Sequence, residues 1–183
     1  MTVSTKLMTA DELLMLPDDG KRYELIEGVL NERALSGVVH GWTAMEAGAL
    51  IYEYVRPRGL GAVFAPGTGF VLSTDPDTVR APDAAFVAAD RLPPGDPPPG
   101  YLRLAPDLVV EAVSPSDATS DLQSKVFAWL DAGCRLVWVV YPNTRSVTVY
   151  RSREDVRVLG EADTLNGSPV FDGFSAEVRD LFR

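Results

Sequence analysis

The chain has 183 residues, which is room for one domain of ordinary size and hardly for two. Its 46% hydrophobic and 23% charged residues are typical of a globular protein and exclude a disordered chain. One cysteine and one histidine exclude an intramolecular disulfide, a CxxC redox pair and a multi-histidine site, so any metal should be a hard ion held by carboxylates. The net charge of −9 argues against coating of nucleic acid through bulk charge, but it leaves a local basic cleft open.

The first part of the chain predicts two helices separated by a hairpin. The capping-box pattern T-A-D-E indicates a short helix that begins after Thr9. The segment 22–35 has the pattern of a β-hairpin with its turn at Glu27 and Gly28. Residues 40–56 carry apolar side chains at helical spacing and predict a long helix. No targeting or membrane-spanning segment is apparent, so we expect a cytoplasmic protein that does not bind membranes.

The rest of the chain predicts a sheet with helices on its faces. The proline-rich segment 92–100 indicates an exposed loop, and the apolar run 107–113 is typical of a strand buried on both faces. Strands are predicted at 62–64, 68–72, 84–87, 107–113, 135–141, 146–152 and 156–159, and helices at 117–132 and 176–182. This order favours an α/β (α+β) fold, a mixed β-sheet flanked by helices, in a single domain spanning residues 1–183.

Glu111 is the anomaly in this pattern, because it interrupts DLVVEAV, the most apolar strand of the chain. A buried carboxylate is costly unless it is paired or binds a metal. Glu111 is therefore either a strand-end residue that reaches solvent or pairs with an arginine, or a metal ligand at the carboxyl end of a central strand, where open α/β sheets place their sites.

Two further residues are candidates beside Glu111. Asp83 follows Pro82 at the start of a predicted strand, and a loop joins that strand to the one carrying Glu111, so the two carboxylates can come together. Lys125 lies on the next predicted helix, four residues after Asp121. It is either half of an exposed i, i+4 pair with Asp121 or a functional lysine in a chain that otherwise uses mostly arginine. We expect its side chain to be half-exposed.

These segments together resemble the Uma-type restriction endonuclease family, from about Thr9 to Phe182. The matching stretches are RAPD at 80–83, APDLVVEAVSPS at 105–116, Asp121 and Lys125, RYELIEG at 22–28, His40, and 133–141. The family belongs to the PD-(D/E)XK nuclease superfamily, whose core is a mixed sheet flanked by helices. The resemblance therefore implies a restriction endonuclease-like fold with its core at about 9–182.

The resemblance also implies roles for individual residues. Asp83 resembles the aspartate of the Pro-Asp element, and Glu111 resembles the acidic residue of the (D/E)XK element. Val113 stands where that element has lysine, so Lys125 is taken as a migrated lysine. Glu27, in preference to Glu24, resembles the acidic residue near the start of the fold. His40 and Asp121 are further site candidates, although a single histidine at a helix start is usually structural.

The implied activity is metal-dependent hydrolysis of DNA phosphodiester bonds. Mg²⁺ or Mn²⁺ held by Asp83 and Glu111 would activate water and stabilise charge at phosphorus, and Lys125 would polarise the water or neutralise the phosphate. A homodimer is expected because duplex cleavage uses two active sites. Two alternatives stay open: a catalytically inactive module of the same fold that binds nucleic acid or protein, and a metal-dependent hydrolase of small phosphoesters.

Overall fold

The helices and strands are those of a computed structural model, which describes residues 7–95, 99–114 and 118–182. The helices are α1 (Ala10–Leu14), α2 (Val38–Val55) and α3 (Thr119–Asp131), with 3₁₀ turns at Arg56–Arg58, Ala89–Arg91 and Val178–Phe182. The strands are β1 (Arg22–Ile26), β2 (Val29–Arg33), β3 (Gly61–Phe64), β4 (Phe70–Ser73), β5 (Thr78–Arg80), β6 (Ala84–Ala88), β7 (Leu108–Ala112), β8 (Leu136–Tyr141), β9 (Ser146–Tyr150), β10 (Val156–Leu159), β11 (Thr164–Asn166) and β12 (Ser175–Glu177).

The strands of the described residues form two main sheets and a two-stranded ribbon. The small sheet has the order β2-β1-β5-β4, the large sheet has the order β10-β9-β8-β7-β6-β3, and the ribbon pairs β11 with β12. In the large sheet β7 and β8 are parallel and the other neighbours are antiparallel. Since α3 connects the two parallel strands, β7-α3-β8 is a βαβ unit. The predicted mixed sheet flanked by helices is confirmed, and the separate small sheet was not predicted.

The two faces of β7 pack against different helices. Leu108 and Val110 belong to the same apolar cluster as Ile51 of α2. Val109 belongs to the cluster on the opposite face, together with Trp129 of α3. Because side chains alternate along a strand, Glu111 follows Val109 onto the α3 side of the sheet.

The predicted N-terminal elements are confirmed in detail. Thr9 and Glu12 form a complete capping box at the start of α1. The β1–β2 hairpin turns at Glu27 and Gly28, whose φ angles of 49° and 76° are both left-handed. Two positive φ values in succession match the twist of the flanking strands, and Gly28 adopts such a value without steric cost.

The tail and the shortest strands differ from the sequence prediction. Residues 176–182, predicted as a helix, form the end of β12 and a 3₁₀ turn. Strands β5 and β11 were missed, since three residues are too few for a period-2 pattern to be recognised. Residues 96–98 of the predicted loop and position 117 of the predicted helix lie outside the described residues. Within the described ranges, no helix combines the length and the apolar character needed to cross a bilayer.

Candidate active site

A cleft opens where the chain passes from the small sheet to the large sheet. Strand β5 ends at Arg80, and Ala81, Pro82 and Asp83 lead directly into β6. The cleft beside this crossing has a volume of about 850 Å³. Its lining includes residues of the segment before β1, of β1 and β2, of the start of α2, of the crossing itself, of the end of β7 and of the first half of α3. We call it the junction cleft.

Asp83 and Glu111 both line the junction cleft because of the register between β6 and β7. Ala84 pairs with Val110 in an antiparallel ladder, so the residue before β6 lies next to the end of β7. The Asp83 amide donates to the Val110 carbonyl at 3.1 Å, and the Ala112 amide donates to Asp83 Oδ2 at 2.8 Å. The structure therefore brings together the two carboxylates that the sequence singled out, on one side of the sheet junction.

Glu111 is 4% exposed, and its two oxygens accept hydrogen bonds from two side chains of α3. Lys125 Nζ donates to Oε2 at 2.8 Å, and Trp129 Nε1 donates to Oε1 at 2.7 Å. Lys125 and Trp129 are four residues apart, so they lie on the same face of the helix. Glu111 therefore neither reaches solvent nor pairs with an arginine, since its side chain is buried and its charged partner is a lysine.

Lys125 is a buried lysine, 8% exposed, that lines the junction cleft. In addition to Glu111, its Nζ lies 3.4 Å from Glu24 Oε1 and donates to the Ala81 carbonyl at 3.1 Å. The expectation of a half-exposed lysine is therefore wrong. Asp121 is exposed in the first turn of α3 and lines the cleft, while the ammonium of Lys125 is directed inward.

Glu24 replaces Glu27 as the acidic residue that the N-terminal hairpin contributes. Glu24 is buried beside Arg80, its Oε2 lies 3.0 Å from Arg80 Nη1, and its Oε1 accepts from the Ala81 amide at 3.1 Å. Glu27 is exposed at the hairpin turn, where its backbone amide donates to Thr78 Oγ1 at 3.1 Å. The preference for Glu27 is thus corrected, because the turn directs it away from the cleft while β1 directs Glu24 into it.

His40, in the first turn of α2, lies at the edge of the junction cleft. Its Nε2 is 3.2 Å from Asp83 Oδ2, the oxygen that also accepts from the Ala112 amide. The structure thus brings His40 to the site as a neighbour of Asp83.

The ionisation of the site is set by burial and by its own charges. Burial raises the pKa of Glu111 to about 7, and the nearby negative charge of Asp83 acts in the same direction, against the opposing effect of Lys125. Burial also disfavours ionised Glu24, but Lys125 and Arg80 hold its pKa below the ordinary value. Burial disfavours protonated Lys125, yet Glu111 and Glu24 raise its pKa above the ordinary value, so the lysine carries its charge at neutral pH.

The donor set at the junction cleft fits a hard divalent ion. Asp83 and Glu111 offer carboxylate oxygens on the same cleft, and their mutual repulsion, part of the raised pKa of Glu111, is what a divalent cation would relieve. In the described part of the chain, no group of three or more His, Cys, Asp or Glu side chains is arranged to hold an ion. Two carboxylates match Mg²⁺, which keeps several waters and completes its shell with substrate phosphate, rather than an ion that needs an all-protein cage.

Sequence reasoning missed two members of the site. Arg80 lies within the RAPD stretch, but nothing in the sequence shows that it faces Glu24 across β1 and β5. Trp129 is the second, a fully buried residue whose indole N–H donates to Glu111. Trp129 follows Lys125 by four residues, and this helical spacing was the one sequence signal that both side chains could contact Glu111.

Comparison with known proteins identifies the family. A solved structure from Anabaena variabilis ATCC 29413, described as that of a putative nuclease belonging to DUF820, superposes with a TM-score of 0.83 at 22% identity, over 96% of this chain and 97% of that chain. No curated protein matches the chain. A family model described as "Uma2: Putative restriction endonuclease" matches residues 10–179. Since that match spans nearly the whole chain, the protein belongs to the Uma2 family.

Proposed function

We propose that the protein is a metal-dependent endonuclease that hydrolyses DNA phosphodiester bonds at the junction cleft. Asp83 and Glu111 would hold Mg²⁺ or Mn²⁺, and Lys125 would be the catalytic cation. The observation that carries the proposal is the convergence of these three side chains on one cleft in a member of a nuclease-like family. When bound, the ion would supply water activation and charge stabilisation at phosphorus.

The protein's own contribution is to hold the carboxylates and the lysine before substrate arrives. The Ala112 amide fixes Asp83 Oδ2, and Lys125 and Trp129 fix the two oxygens of Glu111. Groups oriented in advance need no reorganisation during the reaction, which is the main source of electrostatic catalysis.

Lys125 acts in this proposal as a permanent positive charge rather than as a base, because its pKa is raised by Glu111 and Glu24. The Ala81 carbonyl and Glu24 hold the ammonium at the sheet junction. A phosphate group entering the cleft would exchange for one of these acceptors, and the lysine would neutralise the negative charge that develops at phosphorus.

Local basic side chains support DNA as the substrate despite the net charge of −9. Lys21, Arg22 and Arg33 are exposed and line the junction cleft, where they would contact phosphates, Lys21 by exchanging its partner Glu32. Binding through these contacts would weaken steeply as salt rises, because each neutralised phosphate releases counterions.

We further propose a homodimer, so that two copies present one cleft to each strand of a duplex. Support comes from the outer face of α2, where Val38, Trp42 and Met45 are all strongly exposed and lie on the helix that carries His40 to the cleft. Light scattering should give a dimer mass for the wild-type protein and a monomer mass for Trp42→Glu. A monomeric wild-type protein would rule this part out.

One observation favours the inactive module as a second candidate. The Lys125 ammonium already donates to Glu111 and to the Ala81 carbonyl and lies 3.4 Å from Glu24 Oε1, as in a purely structural buried lysine. A member of the fold that only binds DNA would retain such a network to keep its two sheets together.

Plasmid nicking distinguishes these functions. Supercoiled DNA is incubated with Mg²⁺, Mn²⁺, Ca²⁺ or EDTA, using wild type, Asp83→Asn and, as a matched control, Glu27→Gln. The asparagine side chain retains an acceptor for the Ala112 amide, so folding should survive the Asp83→Asn substitution. The proposal expects Mg²⁺- or Mn²⁺-dependent nicking by wild type and Glu27→Gln, and at least about 10²-fold less by Asp83→Asn. Equal nicking by all three would identify a contaminant and overturn it.

The other outcomes identify the alternatives. DNA binding by wild type with no cleavage under any metal would favour the inactive module. Hydrolysis of a small phosphodiester with neither DNA binding nor nicking would favour the small-phosphoester hydrolase.

A further inference from the structure

We propose that Trp129 is a positioning residue of the junction cleft, whose indole N–H holds Oε1 of Glu111 so that Oε2 is the oxygen presented beside Lys125. This inference rests on the proposed metal-dependent reaction. Trp129 itself lies in the core and would touch neither substrate nor metal, so it acts only through Glu111.

The geometry gives each oxygen of Glu111 its own donor. Trp129 Nε1 is 2.7 Å from Oε1, and Lys125 Nζ is 2.8 Å from Oε2. Both donors project from the same face of α3, one turn apart. One helix therefore sets both the position and the rotation of the carboxylate.

The indole suits this role because it cannot move or change its hydrogen-bonding character. Trp129 is fully buried and packs edge-on against Phe70, with ring centroids 6.4 Å apart. Indole N–H is a donor only and does not titrate at physiological pH, so it always selects an oxygen of the carboxylate. The terminal torsion of a glutamate is otherwise broad, and without the indole Lys125 would be the one side chain among the described residues that hydrogen-bonds the Glu111 carboxylate.

A second buried tryptophan shows that the bond is not required simply to bury an indole in this protein. Trp138 on β8 is also fully buried, and its Nε1 has no hydrogen-bond partner among the described residues. The core thus tolerates an unpaired indole N–H on the other face of the sheet, while on the α3 face the indole is aimed at a carboxylate of the cleft. Trp138 is the matched control for Trp129.

The first test is spectroscopic and needs no activity. In protein labelled with ¹⁵N-tryptophan, resonances of the three indoles are assigned with Trp→Phe variants. The Trp129 indole proton should resonate downfield of that of Trp138, should move upfield in Glu111→Gln, and should shift when Ca²⁺ is added, while the Trp138 resonance stays in place. Equal responses of the two indoles, or none, would overturn the inference.

The second test compares Trp129→Phe with Trp138→Phe, which delete an indole of equal size from the two faces of the sheet. Outer partners of metal ligands typically change metal affinity or activity by about 10- to 100-fold. We expect Trp129→Phe to weaken Ca²⁺ binding, measured by calorimetry, and to lower kcat within that range with little change in KM for DNA. Trp138→Phe should leave both within about twofold, whatever it does to the melting temperature.

The outcomes separate this inference from the function on which it rests. Metal binding and kcat that are the same in the two variants would make Trp129 a packing residue and leave the proposed nuclease intact. A wild-type protein that neither binds metal nor cleaves DNA would overturn the proposed function and this inference with it. If Trp129→Phe does not fold, the Ca²⁺ response of the Trp129 resonance in the wild-type protein still decides between the two roles.

Discussion

Strand β7 has a buried acid at each end, and the two are stabilised in opposite ways. Asp107, just before the strand, is fully buried. Its Oδ1 accepts from Arg135 at 2.7 and 3.0 Å and lies 2.8 Å from Arg91, and its Oδ2 accepts from the Ala88 amide at 2.8 Å. Two guanidinium groups, which do not lose their protons, and a backbone amide thus surround a single carboxylate.

Glu111, at the other end, is stabilised far less completely. Lys125 is shared between Glu111 and Glu24, and the remaining donor, Trp129, is neutral. Asp83 brings another negative charge to the same cleft, and the pKa of Glu111 is raised to about 7, first by burial and also by Asp83. Asp107 therefore stabilises the fold, while Glu111 remains able to gain from a further cation.

The comparison shows that burial of an acid does not by itself indicate function. Asp107 is more deeply buried than Glu111 and has more hydrogen bonds. What distinguishes Glu111 is incomplete neutralisation next to an accessible cleft, and a perturbed pKa in such a place is characteristic of functional sites.

Amide substitution at the two ends of β7 should separate activity from stability. Glu111→Gln removes a proposed metal ligand and keeps its shape, so metal-dependent nicking should fall by about 10³-fold while the protein stays folded. Asp107→Asn should leave nicking per folded molecule within about twofold of wild type. Both are measured with equal amounts of folded protein, judged by circular dichroism. Equal losses at the two positions would mean that both acids are structural and would remove the distinction.

Sequence reasoning singled out the acid at the cleft end of β7 and missed the acid at the other end for a physical reason. Glu111 is conspicuous because it interrupts an apolar run, and Lys125, on the helix that follows, could be linked to it through the βαβ connection. Asp107 stands at the edge of the run, where an aspartate resembles an ordinary turn residue. Its partners Arg91 and Arg135 come from the segments before and after the strand, and their meeting depends on the tertiary structure.

The same limit explains the other differences between prediction and structure. The capping box, the hairpin turn and the long helices are local patterns, and they were predicted correctly. The choice between Glu24 and Glu27 depended on how the hairpin joins the rest of the small sheet, and β5, which pairs with β1 in that sheet, is too short to recognise. The hydrogen bond from Trp129 to Glu111 depends on the rotamer of the tryptophan side chain. Helical spacing indicates that Trp129 and Lys125 share a face of α3, but it does not give that rotamer.

Lys125→Met should lower both activity and stability, in contrast to substitutions at the Asp107 end of β7. Nicking should fall by about 10²-fold, since the charge at the phosphate is lost. Because Lys125 is buried, deleting its charge leaves Glu111 and Glu24 buried without their shared cation, which typically costs about 3 to 5 kcal/mol of unfolding free energy. Urea denaturation at pH 8 measures the stability. Lys125→Arg tests shape, since a guanidinium keeps the charge but is too broad for the site.

The Lys125 variants have two informative contrary outcomes. Unchanged nicking by Lys125→Met would exclude Lys125 as the catalytic cation. A stability change below about 0.5 kcal/mol would mean that the two glutamates become protonated or reach solvent when the lysine is removed.

Asp107→Asn should show its effect in stability. The substitution removes the negative charge between Arg91 and Arg135, and breaking a buried ion pair typically costs about 3 to 5 kcal/mol. Because both arginines are partly exposed and can turn to water, we expect about 3 kcal/mol, seen as a lower urea midpoint with an unchanged slope. Arg135→Leu, which leaves Arg91 in place, should cost less than Asp107→Asn. The reverse order would mean that Asp107 is stabilised mainly by one arginine.

The smallest effect should be the pH dependence that Glu111 imposes on folding. Its pKa is raised from the ordinary 4.5 to about 7 in the native protein, so between these values the native state retains a proton that the unfolded chain has released. Its contribution to the unfolding free energy must therefore fall as pH rises from about 4.5 to about 7 and level off above that range. The wild-type stability relative to Glu111→Gln should decline by roughly 1 to 3 kcal/mol across the window, measured by urea denaturation in EDTA at several pH values.

Two other glutamates serve as comparisons that assign this pH dependence of the unfolding free energy to Glu111. Burial disfavours ionised Glu24, but Lys125 and Arg80 hold its pKa below the ordinary value. Its contribution to the unfolding free energy therefore has the opposite pH dependence. That contribution is lost only as pH falls under about 4.5, which is below the window of Glu111. Glu27→Gln, which removes an exposed carboxylate from the hairpin turn, is the control for losing a negative charge. If the difference in unfolding free energy between wild type and Glu111→Gln does not change with pH, Lys125 keeps Glu111 ionised over the whole range. The contrast between the two ends of β7 would then rest on the accessibility of the cleft and not on incomplete neutralisation of Glu111.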